Sequence, residues 1–256
     1  MNRSVSTLFL PILLLAVTAC RPSYRMTDLE GSMVVMDSTW DAHPDSAAIA
    51  LLAPYQAKID SVMYRVVGTA AHTMDKGRPE SELSNLVADV LRHAAQPSTG
   101  KVADVGVVNM GGLRTILSAG SIDVREIYEI LPFENSLCIL TFKGTVLKQV
   151  LTEIAACGGE GVSGVRLLIT SDGKLLQATV GGKPVDDNKL YTLATIDYIA
   201  DGNDGMPSMA KAAQRICPEH SILRDLFIRY VEAQTARGKQ IVSQLEGRIT
   251  IAKNEE

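Results

Sequence analysis

Asn109-Met-Gly-Gly-Leu-Arg114 sets an amide and a guanidinium around a glycine turn. Pro132-Phe-Glu-Asn135 places a ring, Phe133, two residues from a second amide, Asn135, so an extended chain turns both to one side. Tyr198-Ile-Ala-Asp-Gly-Asn-Asp204-Gly205 puts another ring six residues ahead of a carboxylate in a glycine-rich loop. Two rings, two amides, an arginine and an aspartate are the parts of a nucleoside site. Rings stack on a base at roughly 1–3 kcal/mol each. An amide reads base edges, a carboxylate accepts both ribose hydroxyls, and arginine holds phosphate through a two-pronged hydrogen bond. Each segment also has a plainer reading. Phe133 beside Pro132 fits a core ring closing a turn, and Asn109 and Asn135 fit turn residues bonding their own backbone. Asp204-Gly205 fits a simple β-turn and Arg114 a surface charge. Spacing alone leaves both readings open.

Other reactive patterns fail on inspection. Asp41-Ala-His43 has the D-x-H form that opens many dinuclear metal sites, but His72, His93 and His220 fall in no partner motif. Neither Gly-Asn-His-Asp/Glu nor His-x-His occurs in the chain. Gly161-Val-Ser-Gly-Val165 ends in Val where a nucleophile elbow needs Gly, and a strand follows where the elbow needs a helix. Gly158–Gly164 lacks the Lys-Ser/Thr of a phosphate loop. The expectation is a chain with no catalytic set, no metal site and no cofactor of its own.

The candidate residues need a scaffold, and the apolar spacing supplies one. Ile49, Leu52, Ala53, Gln56, Ile59, Val62 and Met63 share a helical stripe, with Pro54 expected to start or kink it. Leu83, Leu86, Val87, Val90, Leu91 and Ala94 predict an amphipathic helix. Asp123-Val-Arg-Glu126 has the form of a capping box for a helix reaching about Ile130, and Gly144 opens another through Ile154. Ile222–Ala233 predicts the last helix. Strands are expected at Val66–His72, Val102–Met110, Ser136–Phe142, Val165–Thr170, Leu175–Val180 and Tyr191–Ile199. Helices alternate with strands, several of them hairpin-linked, which predicts one α/β (α+β) domain over 45–251 with mixed sheets and a short 252–256 tail.

The chain has 25 Lys+Arg against 29 Asp+Glu, a net charge of −4, which argues against a nucleic-acid binder. With 46% hydrophobic residues it is not a disordered chain. Arg3 followed by the ten apolar residues Leu8–Val17 reads as a signal peptide over 1–19, too short to span a bilayer. Val17-Thr-Ala-Cys20 resembles a bacterial lipobox, so Cys20 is expected to be lipidated. Residues 20–44 read as a polar tether. The expectation is a protein of the bacterial cell envelope, lipid-anchored and facing the periplasm. Cys138, Cys157 and Cys217 leave at least one thiol unpaired, and Cys138 reads most simply as a buried small hydrophobe.

Taken in order, several stretches resemble the C-terminal domain of the bacterial 5′-nucleotidase / UDP-sugar hydrolase family. They are Glu80-Ser-Glu-Leu-Ser-Asn-Leu86, Asn109–Arg114, Pro132–Asn135, Leu140-Thr-Phe-Lys-Gly144, Ser163-Gly164 and Tyr191–Gly205. The resemblance implies a four-layer α/β/β/α sandwich that binds the nucleoside part of a nucleotide. By motif position, Phe133 and Tyr198 would sandwich the base, Asn135 and Asn109 would bond base or ribose, and Asp204 would take the ribose hydroxyls. Arg114 would sit near ribose or phosphate, and Arg78 is the nearest candidate for a further family arginine. The family usually has Gly-Gly-Asp-Gly-aromatic where this chain has Gly202-Asn-Asp-Gly-Met206. The family's N-terminal metallophosphatase domain has no counterpart in the sequence. The leading expectation is therefore a nucleotide-recognition subunit beside a separate metallophosphatase carrying the divalent metals. A tethered nucleoside-scavenging protein, or a relic retaining only the fold, are the alternatives.

Overall fold

The computed structural model describes residues 25–35 and 37–252. The expected signal peptide, Cys20 and the residues 253–256 lie outside the described residues. The chain divides into two compact units, Met1–Leu52 and Ala53–Glu256. A 3-10 turn at Ser38–Ala42 lies in the first; helix α1, Ser46–Met63, starts in the first and continues into the second, its first turn capped by Asp45 accepting from the amides of Ala47 and Ala48 at 2.9 and 3.2 Å. The helix runs through Pro54, and none of its residues is fully buried, although Met63 at its end packs partly against the core.

The second unit holds strands β1 Val66–Ala70, β2 Val105–Val108, β3 Gly120–Asp123, β4 Leu137–Lys143, β5 Gly161–Ser163 and β6 Val165–Ile169. Strands β7 Leu175–Val180, β8 Lys183–Pro184, β9 Leu190–Ile196, β10 Gln214–Ile216 and β11 Ile249–Ile251 follow. Helices α2 Glu82–Ala94, α3 Gln96–Thr99, α4 Val124–Ile130, α5 Gly144–Ala156, α6 Asp197–Ala200 and α7 Leu223–Thr235 alternate with them. The largest sheet has the order β10-β4-β9-β2-β5, with β9 and β2 parallel and the other neighbours antiparallel. A four-stranded sheet runs β11-β6-β7-β8, and β1 pairs with β3 in a ribbon. The α/β class and the mixed sheets are as the sequence implies.

The amphipathic helix α2 starts where Ser81 caps it and buries Leu83, Leu86, Val87, Val90 and Leu91 against β2, β5 and β9. Asp123 accepts from the Glu126 amide at 2.8 Å and starts α4 as its spacing predicts. Helix α5 buries Leu147, Val150, Leu151 and Ile154 and touches both larger sheets. Phe227 and Val231 of α7 are fully enclosed. Arg248, 7% exposed, ties these parts together. It forks onto Asp89 at 2.8 and 2.9 Å and donates to the carbonyls of Asn85 and Val162 at 3.2 and 2.7 Å.

Three differences from the sequence reading have local causes. The strand expected to reach Ile199 stops at Ile196, because Asp197 opens the single turn α6. The strand expected over Val102–Met110 shortens to β2, its last residues bending into a 3-10 turn at Met110–Gly112. Cys138 is buried, but it is disulfide-bonded to Cys217 rather than a plain hydrophobe. The antiparallel β10–β4 register pairs Arg215 with Leu140 and Ile216 with Ile139, and the next step brings Cys217 opposite Cys138. Cys157 is the free thiol among the described residues.

Candidate functional site

The central order β4-β9-β2 decides where the candidate residues meet. Parallel β9 and β2 end at one edge of the sheet, and antiparallel β4 begins there. Asn109 follows β2, Tyr198 follows β9, and Phe133 and Asn135 precede β4, so residues far apart in sequence reach one rim. Clefts beyond the carboxyl ends of sheet strands are the usual ligand positions in α/β folds. Here Asn109, Arg114, Phe133, Asn135, Tyr198 and Asp204 line a cleft of about 370 Å³ together with Gly111 and Gly112.

Phe133 is 48% exposed and Tyr198 43% exposed. A core ring would be enclosed, so the core reading of Phe133 fails and both rings stand open to the cleft. The loop carrying Phe133 is fastened from below by Arg224, itself 5% exposed. Its guanidinium donates to the carbonyls of Leu131 and Pro132 at 3.3 and 3.2 Å and lies 3.8 Å over the Tyr128 ring. The Leu223 amide adds a bond to the Asn135 carbonyl at 2.9 Å.

Asn109 is buried, and its Nδ2 donates to Asp204 Oδ2. Its Oδ1 has no partner among the described residues. A buried acceptor left open costs free energy, and a ligand N–H or a water would recover it. Gly112 makes room for this amide: a Cβ there would come within 2.7 Å of Asn109 Oδ1. Asp204 takes a left-handed backbone, φ 53°, which is uncommon outside glycine. The Tyr198 hydroxyl donates to its Oδ1 at 3.1 Å. That hydrogen bond and the carboxylate charge push the Tyr198 phenol up, so it stays a neutral donor. A carboxylate offers about four lone-pair sites, and these two bonds leave room for a pair of hydroxyls.

Arg114 is exposed at the rim, its side chain donating to the Gly111 carbonyl at 3.4 Å. Six of the seven expected ligand contacts are thus brought together. Arg78 is not among the residues lining the cleft: its Nε donates to the Gly159 carbonyl at 2.7 Å and its Nη2 meets the buried carboxylate of Glu160. The Asp41/His43 pair lies in the first unit. Among the described residues no three His, Cys, Asp or Glu side chains are grouped to hold a metal ion.

Two buried residues that hold the loops of the cleft, Arg224 and Glu160, match no sequence motif. A buried arginine reads as a surface charge until its partners are known. Glu160 carries a faint mark, an acidic residue inside the glycine cluster Gly158-Gly159-Glu160-Gly161.

The 5′-nucleotidase C-terminal domain family matches residues 66–212. Protein UshA of Yersinia enterocolitica is 29% identical over 177 residues, 67% of this chain and 32% of that protein. The NAD 5′-nucleotidase of Haemophilus influenzae is 25% identical over 194 residues, 65% of this chain and 32% of its own length. Among solved structures, a 5′-nucleotidase precursor from Thermus thermophilus superposes with a TM-score of 0.69 at 26% identity, covering 82% of this chain and 43% of that one. The chain spans about a third of the length of these curated relatives.

Proposed function

The chain belongs to the 5′-nucleotidase C-terminal domain family, and from that premise we propose that it recognises the nucleoside part of a nucleotide in a nucleotide-hydrolysing system. The single observation that carries this reading is the cleft in which two open rings, two amides, a carboxylate and an arginine meet at one sheet edge. Phe133 and Tyr198 stack the base between them. Asn109 and Asn135 offer amides to the base or ribose, and the open Asn109 Oδ1 waits for a donor. Asp204 accepts the ribose diol, and Arg114 steadies the phosphate end.

Cleavage of the phosphate ester would fall to a metallophosphatase partner whose divalent metals activate water, while this chain orients the substrate. Its place would be the bacterial envelope, tethered through lipidated Cys20. The Cys138–Cys217 disulfide supports an oxidising compartment. Calorimetry on the purified protein tests the reading: adenosine and AMP should bind, with no phosphate released after Mn²⁺ or Zn²⁺ is added. Absence of nucleoside binding, or metal-dependent turnover lost on substituting one of this chain's own residues, would overturn it.

A further inference from the structure

Glu160 is the most deeply buried carboxylate beside the cleft, 2% exposed, although it does not line it. Its Oε2 accepts from the Met110 amide, the residue after Asn109 and the first of the 3-10 turn Met110–Gly112. Its Oε1 accepts from Arg78 Nη2, and Arg78 Nε is held by the neighbouring Gly159 carbonyl at 2.7 Å. Gly159 permits this arrangement. It sits at φ 105°, and a Cβ there would approach the Pro79 carbonyl oxygen to 2.4 Å. A carboxylate so placed costs solvation that only its partners offset. A neutral amide could not replace it fully, because one of its two ends would turn a donor toward a donor.

We propose that Glu160 is a positioning residue of the cleft, its ionised carboxylate clamping the Asn109–Gly112 turn from behind so that nucleoside affinity follows the charge state of Glu160. The inference rests on the nucleoside-binding reading above. The charged and titratable groups facing Glu160 are Arg78, Asp204 and the Cys157 thiol. Burial pushes the Glu160 carboxyl above the ordinary glutamate range, and the charge of Asp204 adds to this. The Met110 amide and Arg78 oppose it, since both favour the ionised form. Acidification through that raised value adds a proton to the carboxylate and loosens its hold on Met110 and Arg78.

Two measurements on the same protein separate this coupling from nucleoside binding itself. In ¹⁵N-labelled protein without ligand, the Met110 amide resonance should titrate with a midpoint above the ordinary glutamate range, and should not titrate in Glu160→Gln. Adenosine affinity, followed by calorimetry across the same pH range, should fall about tenfold through that midpoint. In Glu160→Gln the affinity should sit at the lower value throughout. Arg78→Gln removes a cation that favours ionisation, so it should move both midpoints to higher pH, which loss of a mere ligand contact would not do. Wild-type affinity without a step at the Met110 midpoint, or Glu160→Gln binding as the wild type does, overturns the coupling alone. Failure of the wild type to bind adenosine at any pH overturns the nucleoside reading, and the coupling with it, even where Met110 still titrates.

Discussion

The Tyr198 hydroxyl lies 3.1 Å from Asp204 Oδ1, so the ring that walls the cleft also braces the carboxylate at its end. Tyr198→Phe keeps the stacking face and removes the brace. Adenosine affinity should fall about fivefold, and affinity for 2′-deoxyadenosine, which lacks one of the two hydroxyls, should fall less. Calorimetry with both ligands reads the difference, and an equal loss for both would place the hydroxyl's effect on the base instead.

Phe133→Ala should weaken adenosine binding by about 1–3 kcal/mol, the usual worth of one ring stacked on a base. The ring is half exposed, so the same change should leave the thermal unfolding midpoint nearly unmoved. A large drop in Tm with unchanged affinity would return Phe133 to the core reading.

Acid should act on stability as well as on binding. The Glu160 carboxyl is held above its unfolded value by burial, so the folded state retains its proton to higher pH than the unfolded chain does. Stability should therefore decline as pH rises from the ordinary glutamate range through the raised native value, then level off. Urea unfolding of wild type and Glu160→Gln across that window checks the sign. The variant should lack this component of the slope.

Arg248→Ala strips a fork from Asp89 and removes the hydrogen bonds donated to the carbonyls of Asn85 and Val162. A loss of about 3 kcal/mol is expected in urea denaturation. Arg248→Lys should recover only part of it, because an ammonium cannot make the planar two-pronged contact.

The Cys138–Cys217 bridge closes a loop of sequence separation 79. Chain-entropy reasoning gives it about 4.5 kcal/mol of stability. Replacing both cysteines by alanine should lower the urea midpoint accordingly, and addition of a reductant should affect only the parent protein.

Sequence patterns were legible where one face of an element repeats over several turns. The stripe of α2, the Asp123 cap and the apolar runs of β4, β6 and β7 all announced themselves this way. The short strands β5, β8, β10 and β11 did not, since two or three residues carry no period. The cleft was half legible. Ring, amide and carboxylate could be named from their spacing, but the choice between Phe133 as core and as platform needed its exposure. Arg224 and Glu160 were hidden because a charged side chain gives no sign in sequence that the fold will enclose it. The Cys138–Cys217 pairing was hidden for a related reason, since it follows from a strand register that the chain reaches only after 79 residues.

Strand β9 lies between β4 and β2 although both are made before it. A growing polypeptide that has emerged only as far as β8 thus has two of its three recognition segments with an empty seat between them. Tyr198 and Asp204 arrive with the strand that fills that seat, and Arg224 comes later still. On the nucleoside-binding reading, a chain interrupted before β9 would lack one wall of the cleft and the carboxylate at its end, and one interrupted before α7 would hold every lining residue but leave the Phe133 loop without its Arg224 fastening.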